Sequence, residues 1–316
     1  MRWIESLSNS GAVQTALDEQ LLGKPYVVYL EDEHRIDWNS QSVTPPGPVY
    51  SAIPLTFEIL SAGTIDFRSS NATFTRTISY SKDNGATWTS ITSSTGRNSF
   101  NVVAGDKVMM KGNNATYSTT SNTYTTFAYS TAKFNLYGNM MSLVDDTNFA
   151  EITALTSDNN YLFQKMFQGQ DANYEFGGLI SAENLVLPAL VLAKSCYGKM
   201  FNGCTGLTHP PKLPATELVA DGVYNNLFNG CTSLLEAPEL PATATTTNCY
   251  FWMFRYCQNI NHIKCLATSL AAASSTSYWL QGVSATGTFV KHPNMTSWTS
   301  GDSGIPSGWS VEDAVL

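Results

Sequence analysis

The chain has 316 residues, of which 43% are hydrophobic and only 13% charged, and its 17 Lys+Arg against 25 Asp+Glu give a net charge of −8. At about 150 residues per domain this is material for roughly two ordinary cores, which excludes global disorder. The polar surface must be built from Ser, Thr, Asn and Gln, as on many β-rich exteriors, and no basic cluster is present to neutralise a phosphate backbone, so nucleic acid is not an expected ligand.

Residues 1–45 read as a separate adaptor with its linker. Seven acids and three bases in the first 40 residues supply −4 of the net charge. Val13, Leu17, Leu21 and Leu22 share one face of a short helix that Ser10 caps and Gly23 ends, and Pro25 to Leu30 reads as a strand. Some 40 residues scarcely bury a core unaided, so the Val13/Leu17/Leu21 stripe is expected to dock on a partner. Pro45, Pro46 and Pro48 mark the linker. Glu5, Asn9 and Asp18 interrupt every apolar window that a secretory signal requires, and no run approaches the length of a membrane span.

Residues 46–145 change to period-two alternation. Thr73 to Tyr80 and Thr87 to Ile91 flank Asn84-Gly85, which supplies the positive φ angles of a tight hairpin turn. Phe100 to Met110, turning at Gly105-Asp106, and Thr125 to Leu136 read as further strands, with a last one through Gly138 to Leu143. Short strands with regular turn signals predict an antiparallel sandwich of immunoglobulin type.

Residues 146–316 carry an internal repeat. Cys204, Cys231 and Cys257 follow at intervals of 27 and 26, and their neighbours return with them. One unit reads Tyr197-Gly198-Lys199-Met200-Phe201-Asn202-Gly203-Cys204-Thr205-Gly206-Leu207 and closes Leu213-Pro214-Ala215-Thr216; the next runs from Tyr224 through Leu227-Phe228-Asn229-Gly230-Cys231 to Leu240-Pro241-Ala242-Thr243. The third runs from Tyr250 through Met253-Phe254 to Cys257 and Leu266-Ala267-Thr268. Tyr161 to Gly169 begins an earlier copy, lengthened by an insertion around Asp171 to Gly178, and Tyr278-Trp279-Leu280 lies 27 residues after Phe251-Trp252-Met253. Terminal repeats are expected to be atypical, because they close the core against water.

This pattern resembles the BspA-like leucine-rich repeat of gut bacterial surface proteins and of phages that infect those bacteria, and the tail from Gly287 to Trp309 resembles the usual ending of such arrays. The resemblance implies a carboxy-terminal solenoid, so the fold expected is mainly β and multidomain. Ser10 to Val13, Leu22 to Tyr26 and Ile36 to Asn39 resemble the amino-terminal start of fibre and appendage proteins of crAss-like phages.

Little in the sequence supports catalysis. The four histidines are scattered, no nucleophile elbow or phosphate-cradling loop is present, and Asp145-Asp146 is an adjacent pair at a junction. No cofactor or metal is expected. Cys196 to Cys204, Cys249 to Cys257 and Cys257 to Cys265 are eight apart, whereas structural zinc favours pairs two to four apart. Spacing alone leaves disulfides open, but Cys196 and Cys249 share a slot that Val223 fills, which favours a reduced, packed ladder of thiols.

Met200, Leu227 and Met253, with Phe201, Phe228 and Phe254, are expected core. The third unit departs from the others on its surface: Phe251, Trp252, Arg255 and Tyr256 replace Asn225, Asn226, Asn229 and Gly230. Aromatic residues and Arg are the composition of binding hot spots, and the same residues serve equally to cover the array's end or a neighbouring subunit. The Asn226 and Asn229 slots are expected to face outward.

The reading that follows is a non-enzymatic virion structural protein, a phage head or tail fibre. Its first residues would bind capsid or tail proteins, its sandwich would space it, and its repeats would attach to the bacterial host or its glycans from the virion surface, in a homo-oligomer of which a trimer is one form. The alternative is a bacterial cell-surface adhesin whose export signal has been removed. A glycan-active enzyme is a third class, for which no carboxylate pair is identifiable.

Overall fold

The computed structural model describes residues 49–120, 122–169, 176–270 and 272–316, and Val49–Leu316 forms one compact unit. The helix-and-strand adaptor, with Val13, Leu17 and Leu21, lies outside the described residues, as does 171–175 of the expected insertion.

Alternating β-branched and aromatic residues form β1 (Thr56–Ile59), β2 (Gly63–Asp66), β3 (Arg68–Ser69), β4 (Thr77–Ser81), β5 (Thr89–Thr92), β6 (Ser99–Val102), β7 (Lys107–Gly112), β8 (Ser118–Thr120), β9 (Thr123–Thr126) and β10 (Phe134–Asn139). Further along come β11 (Leu179–Val186), β12 (His262–Cys265), β13 (Gly287–Lys291) and β14 (Trp309–Asp313). The chain is mainly β, and the only helices among the described residues are single 3-10 turns. The largest sheet has the order β11-β10-β1-β7-β4-β5, accompanied by β2-β6 and β3-β9-β8.

The expected hairpin is present, with Tyr80 opposite Thr89, Asn84 at φ 58° and Gly85 at φ 87°. Its loop is wider than a two-residue turn, because Asp83 accepts from the Ser81 hydroxyl and the Thr87 amide and gathers the chain around itself. The run expected to end the sandwich as a strand stops at Asn139; Met140–Leu143 is a 3-10 turn that the Asn139 side chain caps through the Met141 N–H. β11 lies beyond the junction expected at 145/146, yet it pairs in parallel with β10 and so extends the sheet with residues from the repeat region.

From Tyr161 onward the units stack on one another. Each places apolar pairs (Tyr197, Met200-Phe201, Cys204) inward at a period of four and polar residues between them. That period alone would suit a helix. Every fourth residue is instead left-handed: Ser195, Lys199 and Gly203, then Gly222, Asn226 and Gly230, then Asn248, Trp252 and Tyr256, then Ser274, Tyr278 and Gly282. These residues turn the segment into a chain of successive turns, in which Met200, Leu227 and Met253 donate back to Tyr197, Tyr224 and Tyr250 at 3.1 Å. The intervening N–H groups leave the unit: Lys199 donates to Asn225 O at 2.7 Å, Asn226 to Phe251 O at 2.8 Å and Trp252 to Ser277 O at 3.1 Å. Glycine and Asn hold such φ angles at least cost, which explains their frequency here.

Two columns of rings run through this stack. One is Tyr117, Phe163, Tyr197, Tyr224, Tyr250, Trp279 and Trp298, with centroids 5.6–6.2 Å apart. The other is Phe67, Phe127, Phe167, Phe201, Phe228 and Phe254, at 4.9–5.8 Å. Both columns start on residues of the sheet part, so one apolar core is continuous from Leu55 to Trp309. The expected core residues Met200, Leu227, Met253 and the three phenylalanines are all fully buried. Trp279 corresponds structurally to Met253, one position off the sequence alignment, since Phe254 N–H donates to Trp279 O and Tyr278 holds the left-handed slot of Trp252.

The stack is polar in direction: inter-unit N–H groups point toward the carboxy-terminal end. The carbonyls left over at the start are met by the sheet part, with Tyr117 N–H on Leu162 O at 2.9 Å and Phe127 N–H on Met166 O at 2.8 Å. At the other end the N–H groups of Tyr278 and Leu280 find Ser303 Oγ at 3.0 Å and Asp302 O at 3.2 Å, and the Trp279 indole donates to Gly304 O at 2.9 Å. β12, β13 and β14 close the return side as a parallel sheet.

Candidate recognition surface

The turn segments bring Phe251, Trp252, Arg255 and Tyr256 together into one stack of four groups. Phe251 lies on Trp252 with centroids 5.0 Å apart and planes at 21°. The Arg255 guanidinium covers the other indole face at 4.1 Å and lies 4.5 Å from the Tyr256 centroid. It is fixed there by donating from Nε to Gln281 Oε1 at 2.6 Å and from Nη2 to the Tyr256 hydroxyl at 2.7 Å, while Gln281 donates on to Asp302 at 2.9 Å. A cation held between aromatic faces and tied by two hydrogen bonds is well ordered without a buried ion pair.

Trp252 is therefore the pillar of the cluster, with both faces covered and its indole Nε1 buried without a partner. The groups that meet solvent are Tyr256, 45% exposed, and Tyr278, 50% exposed; the sequence reading did not include Tyr278, because the one-residue offset hid its place in the Trp252 slot. The expectation that Asn226 faces outward needs correcting: it is buried, with its amide donating to Asn225 Oδ1 at 2.6 Å. Asn229 is half-buried and donates to Asn202 Oδ1 at 3.2 Å, a rung between units.

The same face holds Lys165 and Lys199, which occupy the equivalent left-handed slot in the two preceding units. Both are half-buried, and the Lys165 ammonium sits 4.6 Å from the Tyr124 ring centroid. Burial, and then the charge of Lys199, pull the Lys165 amine down to about 8.

Six free cysteines lie in the core. Cys204, Cys231 and Cys257 donate their S–H to the Phe167, Phe201 and Phe228 carbonyls of the preceding unit at 3.2, 3.1 and 3.0 Å. Cys196, Val223 and Cys249 share the other slot at zero exposure. Burial pushes Cys196 and Cys265 up to about 12 and Cys249 up to about 11, so these thiols stay neutral and act as small apolar groups.

Asp145 and Asp146 have local structural partners. Asp145 accepts from the Thr147 and Asn148 amides, which lower its pKa, and Asp146 lies 3.6 Å from Lys111 Nζ. Among the described residues no group of three metal-ligating side chains converges, and no helix is long and apolar enough to cross a membrane. An open cleft of about 590 Å³ lies between return segments, floored by Pro210, Pro211 and Pro238 and edged by Glu183, Glu236 and Lys212. Comparisons with protein-family models, curated proteins and solved structures gave no match to this chain.

Proposed function

We propose that this chain is a non-enzymatic attachment protein, a phage head or tail fibre in which an immunoglobulin-like spacer carries a BspA-like leucine-rich repeat array for binding the bacterial host or its glycans. The observation that carries this reading is the Phe251–Trp252–Arg255–Tyr256 stack, a rigid aromatic cluster on the face of an ordered array with Tyr256 and Tyr278 presented to solvent. Preorganised aromatic anchors lose little entropy on binding. The fibre setting rests on the resemblance of the repeats and of the amino-terminal segment, and six reduced, buried thiols support folding where thiols stay reduced.

The test is antibody labelling of the repeat region on phage particles, combined with host attachment by particles carrying Tyr256→Ala and Tyr278→Ala. Labelled particles and attachment reduced roughly tenfold or more are the expected results. Label found on bacterial cells and not on particles would favour the adhesin alternative. Deleting Met1 to Asn39 should leave a folded chain that fails to enter particles; the trimer is checked by sedimentation.

A further inference from the structure

We propose that the turn face of the repeat stack is a lane for an acidic polysaccharide, whose anionic groups meet Lys165 and Lys199 and whose sugar rings lie against Tyr256 and Tyr278 two to three units further on. The proposal rests on the reading of this face as a recognition surface and names its ligand class.

Charge is the first argument. In a chain of net charge −8, this face carries Lys165, Lys199 and Arg255, with Asp302 at its far end. Arg255 is occupied by Gln281 and Tyr256, and Asp302 accepts from Gln281. Several other lysines of the described chain are neutralised: Lys82 by Asp106, Lys111 by Asp146, Lys264 by Glu239 and Lys291 by Asp313. Lys165 and Lys199 stand in the same slot of adjacent units with no carboxylate within ion-pair distance among the described residues. Two half-buried ammonium groups that repel one another cost stability, and an anion bridging them removes that cost.

Geometry is the second. Lys165, Lys199, Asn226, Trp252 and Tyr278 form one column along the stack, in which ring centroids repeat every 5.6–6.2 Å. That rise is close to the length of one pyranose unit, so an extended sugar chain keeps step with the units beneath it. Between the lysines and the tyrosines lie the Asn202–Asn229 rung and Gly230, low side chains with amide groups suited to hydroxyls. Exposed tyrosine rings suit the C–H face of a sugar. A nucleic acid would also use cations and rings, but the overall negative charge opposes a polyphosphate.

The experiment is affinity electrophoresis of the full chain through gels containing polygalacturonate, dextran sulfate, neutral dextran or oligothymidylate. Retardation by polygalacturonate or dextran sulfate is expected, the arm that responds identifying carboxylate or sulfate as the anion. The K165Q/K199Q double variant should lose roughly tenfold or more of that affinity with its thermal midpoint retained, and Tyr278→Ala should weaken it as well. Equal retardation of wild type and double variant, retardation by neither acidic glycan, or retardation by oligothymidylate as strong as by the glycans would each overturn the proposal. Host attachment that depends on Tyr256 but ignores the lysine pair would leave the attachment function standing and remove only the acidic ligand.

Discussion

The Tyr117 ring stacks on Phe163 at 5.9 Å, a contact that makes a residue of the sheet part the first rung of the column running through the repeats. Tyr117 is fully buried, donates its hydroxyl to Leu143 O at 2.7 Å and accepts from Asn114 at 2.8 Å.

Tyr117→Ala should therefore cost about 3–5 kcal/mol, as large aromatic truncations in cores do. Because both ring columns cross from sheet to repeats, the loss should lower one common unfolding transition. Calorimetry with two resolved transitions, only one of them shifted, would contradict a shared core.

The thiols give a second expectation. Native protein should resist alkylation at all six cysteines, which should react together in denaturant. The folded state holds the protons of Cys196, Cys249 and Cys265 more tightly than an unfolded thiol of pKa about 8.5 does. Their stabilising contribution is complete below that pH and is lost as pH climbs toward about 12, so alkaline unfolding should accompany thiolate absorbance. Cys249→Val, with Val223 as precedent in the equivalent slot, should cost less than about 1.5 kcal/mol.

Lys165 behaves in the opposite sense. Its folded amine titrates near 8, below the value of about 10.4 for a free lysine, so the folded state releases this proton first and gains stability as pH rises between the two. Lys165→Met should be more stable than wild type at pH 7, with the difference fading by about pH 10. Denaturant midpoints of the two proteins across that range measure it; a variant less stable at pH 7 would show that the ammonium is held favourably.

At the hairpin loop, Thr87 and Ser81 depress the Asp83 pKa to about 2. What this carboxylate contributes is present above about pH 4 and disappears as pH falls toward 2. The Thr87 amide should lose exchange protection over that window in wild type and lack it throughout in Asp83→Ala.

Much of the repeat was legible because an apolar slot that recurs every 26 or 27 residues must stack. The six cysteines, the buried phenylalanines and the Asn84–Gly85 turn could be placed from their neighbours alone. β11 could not, because parallel pairing with β10 joins residues more than 40 positions apart and leaves no local pattern. The pairing of Lys165 with Lys199 was hidden by the insertion, which spaces them 34 apart instead of 26 or 27. The role of Trp252 was misjudged in kind: exposed-looking aromatic composition marked the right cluster, but only geometry shows that Phe251 and Arg255 cover both indole faces and leave the contact to Tyr256 and Tyr278.

The single direction of the inter-unit hydrogen bonds also orders events on the ribosome. The sheet part emerges first and supplies donors for the carbonyls of the first unit, so it acts as a template on arrival. Each later unit finds its acceptors already served and offers a fresh row of N–H groups to the chain still being made. Until Asp302 to Gly304 emerge, the growing end is an unfinished edge able to recruit a stray strand. Translational arrest inside the array would thus leave an aggregation-prone product, whereas arrest after Gly304 would leave an array whose Tyr278, Trp279 and Leu280 donors are satisfied.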